Sequence, residues 1–148
     1  MNRNMCCSLR RALLLFFLAA LVIVGVGCAP RVTALRSEVE APTVARIALH
    51  SVKRGAFVFM VYNYTALPLT VDRDNVVLIT PQVRRAWTRG NWSRRMVTVP
   101  AGGVHDVKLD FNMSDLNQGD EVQIDFSSAL LSQGRPVALP PLTFRVID

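Results

Sequence analysis

From Thr43 to the C-terminus, apolar and polar residues alternate with a period of two. Ala45, Ile47 and Leu49 alternate with Arg46, Ala48 and His50, and Val107, Leu109 and Phe111 with Asp106, Lys108 and Asp110. Val122, Ile124 and Phe126 alternate with Glu121, Gln123 and Asp125, and Leu142, Phe144 and Val146 with Thr143, Arg145 and Ile147. Successive side chains on a strand point to opposite faces, so each run predicts a strand with one buried side. Residues 57–62 are apolar on both faces and predict a central strand, 76–79 predict a second buried one, and 67–72 and 96–99 predict shorter ones. Turn-forming clusters separate these runs: Lys53-Arg54-Gly55, Asp72-Arg73-Asp74-Asn75, Pro100-Ala101-Gly102-Gly103 and Asn117-Gln118-Gly119-Asp120. Ser114 is placed to cap one short helical turn over 115–118. Many short strands without a long helical period predict an all-β domain over 43–148, an antiparallel sandwich with immunoglobulin-like topology. Its expected inward set is Phe59, Val61, Leu78, Leu109, Phe111, Ile124, Phe126 and Phe144.

The N-terminal pattern is different. Residues 12–27 are uninterruptedly apolar or small, preceded by Arg3, Arg10 and Arg11, with no acidic residue before Glu38. Basic flanks stay on the cytoplasmic side, so the chain beyond is directed across the membrane. Sixteen residues make a helix of about 24 Å at ~1.5 Å per residue, short of the ~20 residues of a comfortable span. The segment reads as an export signal. Residues 28–42 are polar, bounded by Pro30 and Pro42, and read as a tether. As a flexible chain it spans about 20 Å, or at most about 46 Å stretched. The other reading of this stretch is an extra edge strand.

Composition changes the picture in two places. The three cysteines are Cys6, Cys7 and Cys28, so the domain beyond holds no disulfide. The whole-chain net charge is +6, but three of its 17 basic residues and none of its 11 acidic ones precede Cys28. The remainder carries 14 against 11, or +3, too weak a balance to argue for nucleic acid.

Gly25-Val26-Gly27-Cys28 resembles the lipobox of bacterial lipoprotein precursors, with Gly25 standing where Leu, Val or Ile is usual. The resemblance covers these four residues and the preceding signal. It implies cleavage before Cys28 and diacylation of Cys28, which becomes the membrane anchor. Ala29 rather than Asp follows the cysteine, which in Gram-negative relatives of this pattern implies the periplasmic face of the outer membrane. The alternative is an uncleaved signal anchor. Either way the domain is held outside the cytoplasm in the cell envelope. Tyr62-Asn63-Tyr64-Thr65-Ala66-Leu67-Pro68-Leu69 and Pro100-Ala101-Gly102-Gly103 resemble strand-to-strand corners of immunoglobulin-like envelope modules.

No catalytic constellation appears. His50 and His105 are the only histidines, no Gly-x-Ser-x-Gly occurs, and the carboxylate pairs Asp106/Asp110 and Glu121/Asp125 fall on polar strand faces. The scattered Met60, Met96, Met113, His50 and His105 suggest no metal site. The expectation is a protein that is not an enzyme and needs no cofactor. The sequons at Asn63, Asn91 and Asn112 are chance occurrences beside a lipobox.

One stretch does suggest recognition. Residues 84–95 hold Arg84, Arg85, Trp87, Arg89, Trp92, Arg94 and Arg95, and no acidic residue occurs between Asp74 and Asp106. Guanidinium forks and indoles suit phosphate, carboxylate and sugar surfaces. The expectation is a protruding hairpin turning at 88–91 that contacts anionic lipid, glycan or an acidic protein partner. The competing reading pairs these arginines with Asp106, Asp110, Glu121 or Asp125, or buries a tryptophan in the core. The functional expectation is a non-enzymatic binding or structural lipoprotein of the cell envelope. The alternative is a ligand- or metal-binding accessory subunit of an envelope transport or secretion system.

Overall fold

The structure is a computed structural model that describes residues 30–53, 55–87 and 94–147. The signal segment, Cys28 and residues 88–93 lie outside them. Among the described residues no helix is long and apolar enough to cross a membrane. All regular structure there is strand apart from one 3-10 turn at Arg73–Asn75.

One wall is β2 (Glu38–Ala41), β3 (Ala45–Lys53), β4 (Ala56–Asn63) and β9 (Val104–Asp110), paired in the order β2-β3-β4-β9. The 57–62 strand is central in this wall, as its apolar faces predict, with Phe57, Phe59 and Val61 fully buried. The β3–β4 turn depends on Gly55. Its φ is +79°, and a Cβ there would meet the Phe111 carbonyl oxygen at 2.8 Å, a conformation and a clearance that glycine alone offers.

Opposite lie two ladders. The lower is β1 (Val32–Arg36), β13 (Leu142–Val146), β10 (Glu121–Asp125), β6 (Val77–Ile79) and β7 (Arg84–Ala86). The upper is β12 (Arg135–Pro136), β11 (Leu130–Ser132), β5 (Leu69–Asp72) and β8 (Met96–Val99). Each upper strand is the chain neighbour of its counterpart below. The registers show that the ladders are halves of one wall. From Leu78↔Ile124 to Val71↔Leu130 is seven residues along one strand and six along the other. From Leu142↔Ile124 to Pro136↔Leu131 is six and seven. Both pairs therefore cross the break nearly in step. At the edge, from Val77↔Ala86 to Asp72↔Met96, the counts are five and ten. The chain between β7 and β8 is thus five residues longer than that between β5 and β6, and residues 88–93 of it lie outside the described residues.

The core lies between the walls. Phe57 meets Phe144 of the opposite wall edge-on at 5.3 Å between ring centroids, and Phe59 meets Phe126 at 5.2 Å. All eight residues expected to face inward are buried.

The tether expectation needs correction. Within 28–42, Val32–Arg36 pairs with β13 and Glu38–Ala41 with β3, so this stretch adds an edge strand to each wall. The chain crosses from wall to wall at Ser37, whose carbonyl accepts from Leu49 N at 2.7 Å. The physical reason is Val39 and Ala41, which are apolar and buried and were outweighed in the sequence by the charges around them. The expected helical turn after Ser114 is also absent. Asn112 Oδ1 accepts from both Ser114 N and Ser114 Oγ, forming an Asx turn instead.

Candidate functional site

The basic stretch straddles the break in the edge strand. Arg84 and Arg85 are on β7, Trp87 leaves it, and Arg94 and Arg95 lead into β8; Arg89 and Trp92 lie outside the described residues. The flanks do not form a hairpin with one another: β7 pairs with β6 and β8 with β5. The expected turn at 88–91 lies outside the described residues.

Its arginines differ in environment. Arg95 is held on Asp72, which is only 3% exposed: Nε donates to Oδ1 at 3.0 Å and Nη2 to Oδ2 at 2.7 Å. Asp72 also caps the 3-10 turn, accepting from Asp74 N at 3.2 Å and Asn75 Nδ2 at 3.0 Å. The hydrogen bonds from Arg95 to Asp72, reinforced by charge, push the Arg95 pKa up. Trp87 is 6% exposed and packs into the core, its Nε1 donating to Asp74 Oδ1 at 3.2 Å. Arg85 donates Nη1 to Asn112 O at 2.7 Å and to Asp115 Oδ1 at 2.6 Å, and Nη2 to Asp115 Oδ2. This fork raises the Arg85 pKa and holds the Asp115 carboxyl below the usual carboxylate range. Arg84 lies 3.8 Å from Asp125 across the exposed wall face.

The internal pairing anticipated from sequence therefore occurs, mostly with other partners. Among the described residues only Arg84–Asp125 matches that expectation. Asp72, Asp74, Asp115 and the Asn112 carbonyl were not foreseen, because the break in the wall and the 112–115 loop bring them to the edge strand. Glu121 instead pairs with Arg145, and Asp110 lies 4.0 Å from Lys108.

Arg73 and Arg94 form a second environment. Arg73 N donates to Arg95 O at 3.0 Å and its Nη1 to Arg94 O at 3.2 Å, and its guanidinium carbon sits 5.6 Å from the centre of the Trp87 ring. Its Nε is buried without an acceptor. Burial lowers the Arg73 pKa, with the charge of Asp110 opposing it. Arg73, Arg94, Met96, Val97, Thr98 and His105 line a cleft of about 440 Å³ between the edges of the two walls. In the sequence Arg73 is only part of a turn, and His105 is weighed for catalysis and metal binding but not for a shared cleft with Arg73. Their convergence is a property of the seam.

His50 sits at the irregularity of β3, between Leu49 and Ser51, and is exposed far from His105 in the pairing scheme. Among the described residues no group of three or more His, Cys, Asp or Glu side chains is arranged to hold a metal ion. Comparison with protein families, curated proteins and solved structures finds no match for the chain. What the fold and the site define is an antiparallel all-β, sandwich-like domain with a basic edge.

Proposed function

We propose that this chain is a lipoprotein of the cell envelope, anchored through Cys28 on the extracytoplasmic side, whose domain is a non-enzymatic binding module for an anionic partner. The observation that carries the reading is the signal ending in Gly27-Cys28 with a β-domain whose first strand begins at Val32. The strand order β13-β10-β6 facing β3-β4-β9 supports the immunoglobulin-like assignment.

The position of the basic edge favours one class of partner. Val32 is opposite Val146, Arg145 opposite Glu121, and Asp125 opposite Val77, which faces Ala86. Ala86 is thus five positions above Val32, about 17 Å at ~3.3 Å per residue, and four strand spacings across, about 19 Å at ~4.8 Å each. Only residues 29–31 separate Cys28 from β1. Val32, in the described strand nearest Cys28 in sequence, thus lies at the bottom of one edge, while β7 lies higher on the opposite edge. That geometry suits a neighbouring acidic protein or glycan better than the lipid beneath.

The test is fatty-acid labelling and membrane fractionation of the full chain in a Gram-negative host, with and without Cys28→Ser. We expect labelling and membrane recovery to depend on Cys28. A C28S variant still cleaved and labelled would refute the anchor. The cleft beside Arg73 favours a second reading, a ligand-binding accessory subunit of an envelope transport system.

A further inference from the structure

We infer that the seam cleft between β8 and β9 is a binding site for a small soluble organic anion, its phosphate or carboxylate group held by Arg73 and Arg94. The inference rests on the binding-module part of the function proposed above and is independent of the lipid anchor.

The arginines of this edge differ in whether a carboxylate already holds them. Arg84, Arg85 and Arg95 each have one. Among the described residues no carboxylate lies within ion-pair distance of Arg73 or Arg94, and the acids closest in sequence to Arg73, Asp72 and Asp74, are engaged by Arg95 and Trp87. Asp110 acts on Arg73 only as a more distant charge. Arg73 is half-buried, and its Nε forfeits a hydrogen bond that it makes in water. That Nε has no accessible surface, so the Arg73 groups open to a ligand are its Nη atoms. A partly desolvated guanidinium beside a second one, neither paired with a described carboxylate, suits an oxyanion through charge-assisted hydrogen bonds.

The rest of the lining describes the remainder of the ligand. Thr98 adds a hydroxyl and His105 an imidazole, each able to donate or accept. Met96, 47% exposed, presents a thioether and methylene surface at the rim. A volume of about 440 Å³ falls within the range of about 300–1,000 Å³ typical of small-molecule sites and exceeds the needs of an inorganic ion. Its lining comes from β8 and β9, which are edge strands of the two walls, together with Arg73 and Arg94.

The experiment is isothermal titration of the full chain in non-ionic detergent with citrate and, separately, inorganic phosphate, at constant ionic strength. Co-sedimentation with phosphatidylglycerol vesicles forms a third arm. We expect saturable citrate binding that exceeds phosphate binding. Arg73→Gln should weaken it by about tenfold or more, the loss of charge-assisted hydrogen bonds, while Arg145→Gln, outside the basic edge and paired with Glu121, stays within about twofold. Arg94→Gln, at an exposed position, should weaken binding about threefold or more, and it decides the matter if Arg73→Gln fails to fold. Absence of saturable citrate binding, equal effects of R73Q and R145Q, or binding confined to the vesicles would each overturn the proposal. Loss of fatty-acid labelling with citrate binding intact would fell the anchor and leave this site standing.

Discussion

Asn63 shows how much one polar side chain can organise. It is 2% exposed at the end of β4. Its Nδ2 donates to Leu67 O at 2.8 Å, Pro100 O at 3.0 Å and Val99 O at 3.3 Å, and its Oδ1 accepts from Thr65 N at 2.9 Å and Thr65 Oγ1 at 2.8 Å. Backbone bonds complete the staple, Asn63 N to Gly103 O at 2.8 Å and Gly102 N to Thr65 O at 3.0 Å. The two corners singled out in the sequence thus belong to one structure. Removing the amide leaves several buried partners short of a hydrogen bond, so Asn63→Ala should cost about 2–3 kcal/mol in urea unfolding. A loss below about 0.5 kcal/mol would mean that water replaces it without penalty. The burial also makes Asn63 unavailable for glycosylation in the folded domain. The two corners were legible beforehand, but not their joining: that depends on Asn63 meeting Val99 and Pro100, more than 30 residues away.

At the scale of elements, the strongly alternating strands were readable because period two exposes one face and buries the other over several residues, a signal that survives local noise. Two elements were not. Residues 32–41 look like a connector because Arg36, Glu38 and Glu40 dominate them, yet charges on the outward positions of an edge strand are how such strands avoid unwanted pairing. Val39, opposite Ile47, carries the buried side. Val39→Asp should therefore destabilise the domain by about 2–4 kcal/mol through burial of an unpaired charge, measured by thermal or urea unfolding, whereas a free tether would tolerate it silently. The second element is the edge strand β7–β8. The expected turn at 88–91 lies outside the described residues, but its described flanks pair with β6 and β5 rather than with each other. Strand direction in that wall is set by pairing with β6 and β5, which no local feature of 84–95 encodes.

For the whole molecule, the core is a set of rings bridging the walls. Phe57 lies 6.0 Å from Phe59 and from Phe111, and 5.3 Å from Phe144, so it touches both walls and the loop that follows β9. Phe57→Ala should cost about 3–5 kcal/mol, and unfolding followed by fluorescence and by far-UV circular dichroism should stay coincident, as expected of one cooperative unit. Separate transitions would show that the broken wall unfolds in halves. By itself the sequence determined the all-β class and the inward residues, because alternation is a local property that physical chemistry reads directly. Only the tertiary structure decided that two short ladders form one wall, that 32–41 belongs to both walls, that Arg84, Arg85 and Arg95 have carboxylates while Arg73 and Arg94 border a cleft, and that Trp87 is core. Those outcomes depend on which distant strands pair and in what register, and register is set by the summed burial and hydrogen bonding of the whole domain.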